Sequence, residues 1–363
     1  MFSFASAILL LGAAQGFVLG GILMVKRGGN TQANRILGCI LILLSVSILL
    51  HAVSHASGFL PGDSHMIVVE LMTVLSAPLI YLYAKTLTSY QFKLGSLQFM
   101  HLVPFAAALV PAVVALSAGA PGRPGFMSMS LVVMTTVTML GYIVAANVVL
   151  FRHAVVVKNN FSSLRKVSLR WLRIFVAVLT VFWVFAGLFD LIFKEASMDA
   201  VWIASCAIIY LIGYFGFVQP QVFSDPFAGS GSKAESGAQK YEKSSLTPGM
   251  AEEQLRKLTI AMEKERLYTN KDLSLSRLAL ELKIPSHHLS QIINENVGSN
   301  FYDYINSRRI NEAQRLLIDP TLSNRSIASI GFDVGFNSLS AFNAAFRKFA
   351  GKTPSEFRKS SSV

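Results

Sequence analysis

Charge is what the first 223 residues lack. They hold 13 Lys/Arg and 5 Asp/Glu, whereas residues 224–363 hold 19 and 15. Soluble domains carry about 25% charged residues, against 14% for this 363-residue chain as a whole. The deficit is local, so the chain contains two solvent regimes. Its pI near 9.7 averages the two and is a weak guide to partners. Cysteine is nearly absent as well. Cys39 and Cys206 both lie in apolar runs, which suggests neither a disulfide framework nor metal-ligand spacing. Basic residues do not precede the first apolar run. Lys26 and Arg27 follow it, and the run is long enough to span a bilayer, so it does not read as a signal peptide. There is no Gly-rich phosphate loop, and the few polar residues of the apolar part do not form a nucleophile–base pair at mid-bilayer. No catalytic residue is assigned and no enzyme is expected, an intramembrane hydrolase included.

What is abundant is apolar surface, with 53% hydrophobic residues and a mean hydropathy of +0.51. Seven runs approach the roughly 20 residues that a spanning helix needs. They lie near 4–25, 36–57, 66–84, 99–118, 127–150, 171–193 and 200–218. Positive charge alternates between their loops. Lys26, Arg27 and Arg35 follow the first run, Lys85 and Lys93 the third, and Arg152, Lys158, Arg165, Lys166 and Arg170 the fifth. The other loops are poor in it, and Lys and Arg stay on the cytoplasmic side. The pattern predicts an all-α chain with an outside N-terminus, seven spans over 1–223 and a cytoplasmic C-terminus, set in a bacterial inner membrane.

Ionisable residues within the runs are few: His51, His55, Glu70, His101 and Asp190. Such groups are costly in lipid and face a bundle interior or a cavity. In the predicted orientation His51, His55, Glu70 and Asp190 share one outer depth, and His101 lies at the inner interface. Three readings stay open for the four: an outward-opening pocket for an unidentified small-molecule or membrane signal, a zinc site of His and carboxylate ligands, or interfacial residues that hydrate and bond between helices. No metal and no cofactor is expected.

Residues 224–249, rich in Ser, Gly, Ala and Lys, read as a flexible polar linker. Thr247-Pro248 then reads as an N-cap and first helical residue, opening a helix to about Leu267. In 250–363 a pattern occurs twice. Leu278-Ala279-Leu280-Glu281-Leu282-Lys283-Ile284 aligns with Ile330-Gly331-Phe332-Asp333-Val334-Gly335-Phe336, with a small residue second in both. One extra turn residue later, Leu289, Ile292 and Ile293 match Phe342, Ala345 and Phe346. The spacing predicts two helix-turn-helix motifs whose second helices are pinned to a core. A helix over about Phe301–Ile318, ended by Asp319-Pro320, joins them. It spans roughly 27 Å, fit to hold two recognition helices near the ~34 Å repeat of successive major grooves.

The core pins leave Ser286, His287, Ser290 and Gln291 outward in the first recognition helix, and Leu339, Ser340 and Asn343 in the second. These are the candidate base contacts, since Gln and Asn pair with adenine and Leu meets a thymine methyl. Arg308, Arg309, Arg347 and Lys348 are the candidate phosphate contacts, which position without specifying.

Ile327-Ala328 through Gly331-Phe332, then Gly335-Phe336-Asn337-Ser338, Phe342, Phe346-Arg347-Lys348, Gly351-Lys352-Thr353-Pro354 and Phe357-Arg358 resembles the signature of the AraC/XylS regulators. The resemblance covers about 250–360. It implies a seven-helix DNA-binding domain beside a separate sensor or dimerisation domain, a place taken here by the apolar half, as in membrane-bound members. Leu339 and Ala344 stand where members often carry polar or basic readers, which implies weaker base specificity in the second helix. The expected partners are double-stranded DNA, the lipid bilayer, the unidentified signal, RNA polymerase and a second copy of the chain. A transporter or channel with a DNA-binding tail is the alternative, and release of the C-terminal part by proteolysis of the linker is compatible with either.

Overall fold

In the computed structural model, residues 4–27, 30–57, 64–89, 92, 94–117, 126–164, 169–192, 199–218 and 246–361 are described. Among these, the fold is helical. In the apolar half the helices are α1 (Phe4–Val25), α2 (Thr31–Ser57), α3 (Ser64–Thr88), α4 (Val103–Ser117), α5 (Phe126–Asn160), α6 (Arg170–Ile192) and α7 (Asp199–Val218), with a 3-10 segment, Ser96–Leu102, leading into α4. The C-terminal half holds α8 (Pro248–Glu263), α9 (Leu275–Leu282), α10 (Ser286–Glu295), α11 (Phe301–Ile318), α12 (Ile327–Asp333), α13 (Leu339–Ala350) and α14 (Pro354–Ser361).

The chain divides into two compact units. The first is Met1–Phe151 with Leu169–Gln221, and the second is Arg152–Ser168 with Val222–Val363. The second unit is therefore discontinuous. The end of α5 and the start of the α5–α6 connection, assigned to the membrane part by sequence, pack with the C-terminal helices.

In the first unit, α1 packs on α2 and α7, α2 on α3, and α3 on α4. Gly12, Gly16 and Gly20 put a smooth stripe on α1. Side chains added there would collide with Cys206, Ser45 and Ile42, so the backbones approach closely, as in membrane helix pairs. Polar side chains bond within their own helices. Ser45 and Thr86 donate to the carbonyls of Leu41 and Leu82 at 2.7 Å, and Thr135 to that of Leu131 at 2.9 Å, which satisfies hydroxyls without water. Large apolar side chains stay exposed along α4 (Val110, Val113), α5 (Val133, Val137, Val144) and α6 (Ile174, Val178, Val181). Water penalises such continuous apolar faces. Five described helical segments, over Phe4–Val25, Thr31–Ser54, Ser64–Thr88, Ser96–Ser117 and Met129–Asn160, are long and apolar enough to cross a bilayer, and Val201–Phe215 is a shorter apolar stretch.

In the second unit, two cores are built in series. Leu258, Tyr268, Leu275, Leu278, Leu289, Ile292 and Phe301 form one, and Ile310, Leu317, Ile330, Phe336, Phe342 and Phe346 the other. Helix α11 contributes to both. Local chemistry sets its neighbours' ends. Ser274, Asn300, Ser326 and Ser338 cap α9, α11, α12 and α13 by accepting from the backbone N–H three residues on. Thr247 caps α8 in the same way, from Met250 N at 3.4 Å. Helix α8 ends at Glu263, four residues earlier than its pattern predicts. Arg266 adopts φ 51°, which breaks the helix and turns Tyr268 into the core.

Candidate nucleic-acid interface

The aligned repeats become two helix-turn-helix motifs, α9–α10 and α12–α13. The corresponding turn residues, Lys283 and Gly335, both take positive φ, 54° and 105°. At Gly335 a side chain would stand 2.7 Å from the Thr269 carbonyl oxygen, so the second motif's turn lies directly on the loop that precedes the first. At Gly331 it would stand 2.8 Å from the Phe342 ring, which is why the second position of the repeat is small where the helices cross.

On α10, His287 is exposed, and Ser286 and Gln291 are half-buried; Gln291 Nε2 donates to Glu295 Oε2 at 2.9 Å. On α13, Leu339, Ser340 and Asn343 are exposed, with Arg347 and Lys348 in the last turn. Two expectations are corrected. Ser290 is 7% exposed and lies under Asn294, whose Nδ2 donates to its carbonyl at 2.8 Å, because α10 is covered by α8, α9 and α11. It does not face outward as a base reader. The adjacent His288 is also buried, and neither ring nitrogen has a hydrogen-bond partner among the described residues. Burial, and then the nearby His287, pull its pKa below the usual histidine value.

Arg309 is not a phosphate contact. It is 1% exposed, on the buried face of α11. Its Nε donates to the Tyr268 carbonyl at 2.7 Å and its Nη2 to the Asn270 carbonyl at 2.8 Å. Nη1 reaches Asn306 Oδ1 at 3.3 Å and the Ser162 carbonyl at 3.4 Å, and Nη2 reaches Ser162 Oγ at 3.3 Å. Burial pulls its pKa down to about 10, against the favourable charge of nearby Asp272, so it stays a cation at neutral pH. The other three cations remain at the surface. Arg308 is half-buried, 3.9 Å from Glu263 and over the Tyr304 ring; Lys348 pairs with Asp303 at 2.6 Å. Such pairs are weak enough, about 0–1 kcal/mol, to exchange for phosphate.

Of the four residues of the proposed signal pocket, the structure describes two side chains. His51 is buried and stacks on Trp202 of α7, with ring centroids 4.3 Å apart. His65 of α3, which sequence reasoning missed, lies 5.5 Å from it, with both ring nitrogens buried and without a hydrogen bond among the described residues. Glu70 is half-buried on α3. The side chains of His55 and Asp190 lie outside the described part. His101 bonds Tyr142 through Nδ1 and the phenol oxygen at 2.8 Å.

Comparison with known proteins bears on the C-terminal half. The family model described as a helix-turn-helix domain matches residues 278–360. The chain is 33% identical over 92 residues to an uncharacterized HTH-type transcriptional regulator of Staphylococcus aureus (strain COL), covering 25% of this chain and 12% of that protein. It is 36% identical over 87 residues to the Msm operon regulatory protein of Streptococcus mutans serotype c, covering 24% of this chain and 30% of that one. The chain thus spans less than a third of the length of these curated relatives. No solved structure gives a significant match. With the paired motifs, the shared turn geometry and the family match in place, residues 278–360 form a helix-turn-helix domain.

Proposed function

We propose that the protein is a membrane-bound, one-component transcription regulator. Seven helices, α1–α7, cross the cytoplasmic membrane of a bacterium with the N-terminus outside, and the C-terminal unit reads double-stranded DNA in the cytoplasm. The observation that carries this reading is the presence, in one chain, of a helix-turn-helix domain similar to those of HTH-type regulators and of five long apolar helices. The discontinuous second unit supports the topology. Residues 152–164 and the C-terminal helices belong to one packed unit, which favours their sharing one side of a membrane. Helices α6 and α7 lie between them in sequence, and a pair of crossings returns the chain to that side. The basic residues Arg152, Lys158, Arg165 and Lys166 mark the side as cytoplasmic.

His287, Gln291, Ser340 and Asn343 are the proposed base readers, with Leu339 against a thymine methyl. Arg347, Lys348 and Arg308 hold phosphates. The aromatic and imidazole cluster of His51, His65 and Trp202, with Glu70 on the same helix as His65, is the proposed place where an extracytoplasmic or membrane signal acts. A signal shifts DNA binding only through different affinities for two states of the protein. RNA polymerase and a second copy of the chain complete the scheme as partners.

The test is selection of duplexes from a random-sequence pool by the full chain in lipid nanodiscs. Recovery of a common sequence, with affinity that falls steeply as salt rises, is the expected result. Recovery of no enriched sequence at low salt overturns the proposal. Genome-wide occupancy of the tagged full-length protein then identifies the regulated genes.

A further inference from the structure

The α5–α6 connection begins with three residues that the C-terminal unit has built into itself. Helix α5 ends at Asn160, and Phe161 immediately makes an antiparallel bridge with Ser274, the N-cap of α9. Ser162 is 1% exposed. Its N–H donates to the Leu273 carbonyl at 3.2 Å and its Oγ donates to the same oxygen at 2.6 Å. Its carbonyl accepts from Arg309 Nη1 at 3.4 Å and from Asn306 Nδ2 at 3.5 Å, both on α11. Ser163 Oγ accepts from Asn337 Nδ2 at 3.0 Å, in the turn of the second motif. Three consecutive residues thus touch the entry of the first motif, the helix that joins the motifs, and the turn of the second.

Resting on the regulator reading above, we propose that residues 161–163 are a wedge that sets the spacing of the two helix-turn-helix motifs, so that a shift of α5 changes which duplex the unit accepts. The wedge is not ordinary loop packing, because it completes the solvation of a buried cation. The Asp272 carboxylate favours the Arg309 charge from nearby, but the hydrogen bonds that hold the guanidinium come from oxygens of Tyr268, Asn270, Asn306 and Ser162. A buried charge that loses its partners is strongly destabilising. Withdrawal of Ser162 therefore does not leave the pocket as it was. Arg309 must find other oxygens, and those belong to the loop and helix on which both motifs rest. Packed interiors of this kind change between discrete arrangements instead of drifting. Helix α5 ends one residue before Phe161, so displacement of its end reaches the wedge with no slack chain between.

The wedge acts on spacing, which separates its effect from that of simple loss of folding. The experiment uses the full chain in nanodiscs, the duplex that the wild-type chain selects, a panel of duplexes with altered separation between the segments read by the two motifs, and duplexes that keep one segment alone. Two variants displace the wedge: Ser162→Gly with Ser163→Gly, which removes both hydroxyls, and Ser162→Trp, whose bulk has no room at a buried position. Each is expected to weaken binding to the selected duplex by at least about tenfold or to move the preferred separation, while affinity for one-segment duplexes changes less than about twofold. Hydrogen exchange in residues 266–273 reports release of the wedge. Unchanged affinity and separation preference in Ser162→Trp overturns the proposal. So does an equal loss on one-segment and two-segment duplexes, which marks the segment as structural support only. A wild-type chain that selects no duplex overturns the regulator reading itself, and this inference with it.

Discussion

Replacing Arg309 with alanine tests whether this residue belongs to the protein's interior or to its DNA. The guanidinium donates to the Tyr268 carbonyl at 2.7 Å, to the Asn270 carbonyl at 2.8 Å, and to Ser162 and Asn306 at 3.3–3.4 Å. Alanine leaves the Tyr268 oxygen without this donor and strips one donor each from Asn270 and Asn306, one from the Ser162 hydroxyl and one from the Ser162 carbonyl, which keeps Asn306 Nδ2. A buried acceptor left unpaired costs about 1–3 kcal/mol, and the vacated volume adds to it. Relief of the guanidinium's desolvation offsets part of this. The expected net loss is about 3 kcal/mol in the C-terminal unit, a large share of the ~5–15 kcal/mol that holds a domain folded. Amide exchange in residues 266–273 and 305–310 should speed up about a hundredfold, at 1.4 kcal/mol per factor of ten. Arg309→Lys should recover only part, because one ammonium replaces a planar fork of five donors. The salt dependence of DNA binding is the counter-test. Each lost phosphate contact lowers the slope by about 0.9, and Arg309→Ala should leave the slope unchanged. A slope lowered by that amount, with exchange unaltered, would refute the buried role.

Other outcomes follow from neighbouring residues. Arg347→Ala should lower the salt slope by about 0.9 with little change in exchange protection, since the residue is exposed at the end of α13. His288 has its pKa lowered by burial, so its charged form is disfavoured in the folded unit. The unfolded chain then binds the proton more readily, and protection of α9–α10 amides should decline as pH falls below about 6.5; His288→Leu should flatten that decline. Gly335→Ala should destabilise the second motif by about 1–3 kcal/mol, because φ is 105° and the added carbon meets the Thr269 oxygen at 2.7 Å. A thermal midpoint within error of wild type for the C-terminal unit would show that the turn relaxes freely.

Much of the C-terminal unit was legible because its determinants are local. Thr247-Pro248 announced the start of α8, and the matched positions of Lys283 and Gly335 carried the same turn in both motifs. Arg309 was misread because it stands beside Arg308, and two adjacent arginines look like a solvated face. A signal was present. Arg309 is four residues from both Ile305 and Ala313, so it continues the apolar stripe of α11. Its oxygen partners were hidden, because Ser162 lies 147 residues earlier. Ser290 failed for a related reason: helical phase separates two faces, but α10 is covered on three sides. His65 and Trp202 carry no motif, and only tertiary packing brings them to His51.

The discontinuous C-terminal unit also orders events during synthesis. Ser162 leaves the ribosome 111 residues before Leu273, the residue that accepts both of its hydrogen bonds. At about 5–20 residues per second, that gap is roughly 5–20 s. Throughout it, in the topology proposed above, α6 and α7 enter the membrane and return while the segment waits uncovered. In that topology, a chain that inserted only one of them would leave its two parts on opposite faces of the bilayer, with Arg309 short of the Ser162 oxygens. On that proposed topology, completion of the C-terminal unit doubles as a proofreading step for membrane insertion.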